Sequence, residues 1–92
     1  MKKITWFYMP GCPYCRNADR ALRELTEENP EYAKVEIARI DETANAAFAD
    51  QYDYYYVPSL FFGEEKQYEC SPSENYESIR EHVKEVLDRA KE

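Results

Sequence analysis

Cys12 and Cys15 stand three positions apart in the run Gly11-Cys12-Pro13-Tyr14-Cys15. On a helix that spacing stacks two thiols one turn apart, close enough to form a small disulfide and to open it again. Pro13 suits the first position of such a helix. Its ring presets the backbone angle, and the amide hydrogen it lacks would have been unpaired there anyway. Unpaired amide donors and the positive end of the helix dipole favour a thiolate over a thiol at that point. A free thiol is only a few per cent ionised at neutral pH, so the position matters. Cys12 is therefore expected to be the exposed, attacking sulfur, and Cys15, one turn deeper, the resolving sulfur that frees product from a mixed disulfide. Arg16, one turn beyond Cys12, either adds positive charge there or is a solvated arginine on the helix face.

A strand and a helix must present these thiols. Residues 2–9 are rich in β-branched and aromatic side chains and end at Met9-Pro10-Gly11, which reads as a buried strand and a tight turn. From Pro13, Ala18, Ala21, Leu22 and Leu25 recur at helical spacing until Asn29-Pro30 closes the helix. Residues 34–40 alternate with period two, Val35 and Ile37 and then Ala38 or Ile40 facing inward, as a second strand. A helix joining two strands implies a parallel βαβ unit.

Asp41 or Thr43 can cap a second helix over about 43–52, with Ala44, Ala47 or Phe48, and Tyr52 on its inner stripe. Residues 57–62 read as a third strand opening at Pro58, and Gly63-Glu64-Glu65 as a turn into a short fourth strand over 66–69. Ser71-Pro72-Ser73-Glu74 carries a capping serine and an early proline. A long helix follows, with Tyr76, Ile79, Val83, Val86, Leu87 and Ala90 on its apolar stripe.

Ninety-two residues make one domain, expected to span 1–92. The net charge is −7 and uneven: residues 1–40 sum to +1 and residues 41–92 to −8. An acidic second half disfavours nucleic acid and anionic membrane as partners and favours basic or neutral surfaces. No stretch approaches the ~20 apolar residues of a membrane helix, and the run after Lys3 is too short for a signal peptide. Three cysteines, an odd number, point to a reducing, cytoplasmic setting and to chemistry rather than a disulfide framework. A monomer is expected.

Cys12, Cys15, Cys70 and His82 could in principle ligate zinc, but no second close pair is present and His82 lies beside an apolar helix stripe, so no metal is expected. Cluster or copper binding by Cys12 and Cys15 is the remaining metal alternative. Cys70 is a packing residue or a third redox-sensitive thiol. Tyr52, Tyr54, Tyr55 and Tyr56 should point alternately to the core and to a docking rim. Val57-Pro58 is a place where a cis peptide can be kept, or else an ordinary proline at a strand edge.

Together, the Cys-Pro-Tyr-Cys run between strand and helix and Val57-Pro58 ahead of the third strand resemble the thioredoxin superfamily, and Gly11-Cys12-Pro13-Tyr14-Cys15 resembles the dithiol glutaredoxins. The resemblance spans nearly the whole chain. It implies a thioredoxin fold, an α/β domain with a four-stranded mixed sheet in the order β-α-β-α-β-β-α flanked by three helices. It implies a thiol-disulfide oxidoreductase that reduces protein disulfides or glutathione mixed disulfides. Cys12 would be the nucleophile and Cys15 the resolving thiol, within a motif completed by Pro13, Tyr14 and Arg16. Val57 beside a cis-Pro58, with Tyr56, would pair with substrate as a short added strand.

Where glutaredoxins carry a Gly-Gly turn and an acid for glutathione, this chain reads Tyr68-Glu69-Cys70-Ser71-Pro72-Ser73-Glu74. Ser71, Ser73 and Glu74 are the corresponding glutathione-binding candidates, or simple capping residues. No bound cofactor is implied. Glutathione, as co-substrate, or a reductase would regenerate the dithiol. Residues 52–66 are also similar to thioredoxins, which leaves a reductase-dependent, thioredoxin-like protein as the alternative, alongside a metal-binding or non-catalytic module on the same fold.

Overall fold

The computed structural model describes residues 1–92, and its element order is the expected one. Strand β1 (Ile4–Tyr8) lies inside a four-stranded sheet of order β2-β1-β3-β4. It runs parallel to β2 (Ile37–Asp41), from Ile4 opposite Ile37 to Tyr8 opposite Asp41, and antiparallel to β3 (Ser59–Phe62), with Phe7 opposite Ser59. β4 (Glu65–Glu69) closes the edge as a hairpin with β3. Because β1 and β2 are parallel, both deliver their carboxyl ends, and the residues that follow, to one end of the sheet.

Alternation along β1 divides the core. Ile4 and Trp6 join Leu60, Tyr68 and the apolar stripes of α1 (Pro13–Glu28) and α3 (Tyr76–Lys91) in the larger cluster. Phe7 turns the other way and packs with Phe61 and with Ala49 of α2 (Ala46–Ala49) in a smaller, aromatic one. The helical spacing read for α3 is borne out at Ile79, Val83, Val86, Leu87 and Ala90, all buried, while Tyr76 at its start is only partly covered. No helix is long and apolar enough to cross a membrane.

β1 is trimmed to Ile4–Tyr8 and β4 takes in Glu65 from the expected turn, and four other expectations shift further. β2 starts at Ile37 rather than Lys34, because Pro30–Lys34 winds into a 3-10 turn whose entry is capped by the Asn29 side chain; Val35 is buried but precedes the strand. The second helix is one turn instead of 43–52. Asp41 is still in β2, and its carboxylate is spent on a turn, accepting from the Thr43 amide (2.9 Å) and hydroxyl (2.6 Å). Ala49 and the partly buried Tyr52 then face inward, whereas Ala44, Ala47 and Phe48 are exposed. β3 starts at Ser59, after Pro58, which has no amide hydrogen to give the ladder. Finally, α3 is capped by Asn75, whose side chain accepts from the Ser78 amide (2.9 Å), not by Ser71 or Ser73. Ser73 sits at φ +72°, a left-handed backbone that cannot belong to a helix.

Candidate active site

The turn that ends β1 uses Gly11 at φ +81°, where a side chain would be strained, to bring Cys12 to the N-cap of α1. Cys12 Sγ accepts the Cys15 amide at 3.2 Å, and its thiol points at the Val57 carbonyl at 3.8 Å. The Val57-Pro58 peptide is cis. Pro13 occupies the first turn, as its chemistry requires. Cys12, Cys15, Val57 and Pro58 are thus brought together. Cys12, however, is not exposed. It is 6% accessible against 3% for Cys15, because the Val57 segment lies against its sulfur. The two thiols therefore differ in their partners rather than in their exposure. Burial, reinforced by the neighbouring Cys12 thiol and by the charge of Asp19, pushes the Cys15 thiol far above its ordinary range.

Arg16 is exposed and enters no ion pair, so it remains a solvated residue of the helix face. Tyr14 is half-buried, and its hydroxyl accepts the Ser73 amide (2.8 Å), tying the thiol-bearing turn to the segment ahead of α3. In that segment Ser71 donates its amide to Glu74 Oε1 (2.9 Å), while Glu74 Oε2 accepts the Ser78 hydroxyl (2.6 Å) and faces His82 Nδ1 (3.0 Å). Burial raises the Glu74 carboxyl, but the hydrogen bonds from Ser78 and Ser71 outweigh it and hold the group below its usual range. Ser71, Ser73 and Glu74 are thus engaged with one another and with α1 and α3, although Asn75 and not a serine caps α3.

Cys70 is 1% exposed in the larger core, its amide bonded to the Pro58 carbonyl (3.0 Å); burial pushes its thiol up to about 11, the behaviour of a packing residue. His82 stacks on Tyr68 at 4.6 Å, and no three histidine, cysteine or acidic side chains converge as metal ligands would. The four tyrosines split between core and surface. Tyr52 and Tyr54 pack on Phe7 and Phe61, while Tyr55 and Tyr56 are exposed.

Sequence reasoning missed Glu69. Its Oε2 accepts the amides of both Tyr55 and Tyr56 at 2.7 Å, and its Oε1 pairs with Lys66 at 2.7 Å. One carboxylate on β4 therefore pins the loop that leads into Val57. A separation of 13 and 14 residues leaves no local pattern by which to find it. Burial raises the Glu69 carboxyl, and the Lys66 ammonium with the two amides overcomes this and holds it below its ordinary value. Its contribution to stability is therefore full above the ordinary carboxylate pKa and is lost as pH falls through the lowered, folded value. Glu69→Gln keeps an acceptor but loses the charge, at an expected cost of ~1 kcal/mol, or about 5 °C in the thermal midpoint at neutral pH. The gap from wild type should close in acid. A gap equal at every pH would show that the charge is not what holds the loop.

A family model for a glutaredoxin-like domain matches residues 3–84. A thioredoxin of Methanocaldococcus jannaschii is 28% identical over 92% of this chain and 95% of its own length. A protein disulfide-isomerase of Medicago sativa is 31% identical over 90% of this chain, which spans only 17% of that longer protein. Among solved structures, thioredoxin 1 of Thermosipho africanus superposes with a TM-score of 0.58 at 15% identity, covering 98% of this chain and 99% of its own. That likeness establishes the thioredoxin fold.

Proposed function

The chain belongs to the glutaredoxin-like domain family, within the thioredoxin superfamily, and on that premise we propose that it is a thiol-disulfide oxidoreductase acting through Cys12 and Cys15 on protein disulfides. Membership and the thioredoxin and disulfide-isomerase relatives support a thiol oxidoreductase-like role in general. The observation that carries the finer reading is the setting of Cys12, a helix N-cap sulfur that takes the Cys15 amide and lies against the backbone beside Pro58. A donor at that position supports negative charge on sulfur as it attacks.

Cys12 sulfur attacks one sulfur of the substrate disulfide. That S–S bond breaks, the leaving thiolate takes up a proton, and a mixed disulfide to Cys12 remains. Cys15, kept as a thiol by burial, does not compete for this first attack. It then loses its proton and displaces substrate from Cys12. The Cys12–Cys15 disulfide forms, and the substrate leaves with two electrons gained. An external thiol donor, glutathione or a reductase, returns the pair to the dithiol. Val57, with its carbonyl beside Cys12, is the backbone along which an extended substrate would lie.

What favours a protein disulfide over a glutathione adduct is the engagement of Ser71, Ser73 and Glu74, whose amides and carboxylate already have protein partners. Mass spectrometry of the protein equilibrated in a graded glutathione redox buffer tests both parts. A reversible loss of two hydrogens confined to Cys12 and Cys15 is expected, with little glutathione adduct at equilibrium. An adduct that accumulates on Cys12 would make glutathione the substrate as well as the donor, and thiols that stay reduced throughout would sink the proposal.

A further inference from the structure

The aromatic face of the sheet is thinly covered. α2 is a single turn, and beside it opens a cavity of about 420 Å³ walled by Tyr52, Tyr54 and Tyr55 over Ala49, with Glu42 and Asp50 among its walls. None of the eight lining residues is basic. Glu42 Oε1 accepts the Tyr54 hydroxyl at 2.6 Å, and burial followed by the Glu42 and Asp50 charges keeps that hydroxyl protonated, far above its usual range. Neither Glu42 nor Asp50 is paired with a cation of this chain. Carboxylates set among tyrosine rings are the chemistry that receives an ammonium or guanidinium group, through charged hydrogen bonds and ring faces together.

The cavity lies at the working end of the sheet. Glu42 gives its amide to the carbonyl of Tyr8, the last residue of β1, and β1 leads straight to Cys12. Val57 joins the two places, its carbonyl against Cys12 Sγ and its side chain packed on the Phe7–Phe61–Ala49 cluster to which Tyr52 and Tyr54 belong. A chain laid along Val57 with its disulfide at Cys12 runs beside this cavity.

We propose that the cavity is a subsite for a lysine or arginine side chain flanking the substrate disulfide, so that the protein acts preferentially on basic disulfide-bearing segments. This rests on the exchange activity proposed above, and it assigns to particular residues a preference that the acidic second half of the chain would otherwise spread over the whole surface.

Three synthetic peptides test it, each with one cysteine blocked as a mixed disulfide with thionitrobenzoate and with arginine, alanine or glutamate as neighbours. Release of the coloured thiolate reads attack by Cys12. With the reduced protein in excess, so that each peptide is consumed in a single turnover, the second-order rate constant for the arginine peptide should exceed that for the glutamate peptide by roughly fivefold at low salt, falling as salt rises. Glu42→Gln with Asp50→Asn should remove most of that preference. Glu64→Gln with Glu65→Gln removes the same charge from the β3–β4 turn, at the other end of the sheet, and should leave the preference intact. Equal rates for the arginine and alanine peptides would overturn the subsite, as would a preference that falls equally in both double variants. If no peptide reacts, the alanine one included, the exchange activity itself fails and the subsite with it.

Discussion

Cys12→Ser should lower disulfide exchange by about a thousandfold or more, because a hydroxyl without a partner base is not a nucleophile at neutral pH. Cys15→Ser should behave differently. Its Cys12 still receives the amide of residue 15, a backbone group the substitution leaves in place, so attack proceeds and the mixed disulfide cannot resolve. The covalent substrate adduct should accumulate on that variant and be visible by mass under non-reducing conditions. An inert Cys15→Ser beside an active Cys12→Ser would reverse the two roles. Because the cysteines are almost equally buried, this pair of variants, and not accessibility, is what separates them.

Phe7→Ala should cost about 3–5 kcal/mol of folding stability, a large part of what a small domain has. Phe7 is fully buried, and its ring meets Phe48, Tyr52, Tyr54 and Phe61 at centroid distances of 4.8–6.1 Å. Denaturant unfolding measures the loss. Phe48→Ala, at a site 39% exposed, is the comparison and should cost about 1 kcal/mol or less. Similar values for the two would mean that the aromatic layer is not a packed unit.

The sheet, the long helices and the thiol pair were legible in the sequence because each has a local signature. A β-branched and aromatic run stopped by Pro10-Gly11 marks β1, steps of three and four mark α1 and α3, and Cys12-Pro13-Tyr14-Cys15 carries its own spacing and its own helix start. What was not legible depended on partners distant in sequence. The alanines of residues 44–49 read as a helix of some length, yet Asp41 belongs to β2 and turns the chain before a helix can begin. Ser71 and Ser73 read as caps, but the Ser73 amide is claimed by Tyr14, 59 residues earlier. The burial of Cys12 was equally hidden, since it depends on Val57, 45 residues later, lying against the sulfur. The cis peptide at Pro58 could be suspected only from its place after a turn, and the resemblance to a known family strengthened what composition could not.

β1 is an interior strand of the sheet whose partners come from distant parts of the sequence, and this bears on how the fold assembles. β1 pairs with β2 on one side but must wait for β3, more than fifty residues later, on the other. Its larger apolar face is covered by α1 and, last in sequence, by α3, and the Ala90 carbonyl accepts the Lys2 amide at 2.7 Å, so residues 88 positions apart meet. Ile4 and Trp6 therefore stay partly uncovered until α3 has docked. Contacts so distant in sequence repay their entropy only together, which favours one cooperative folding step. The thiols of Cys12 and Cys15 are set against Val57 only once a segment more than forty residues later has folded back onto them.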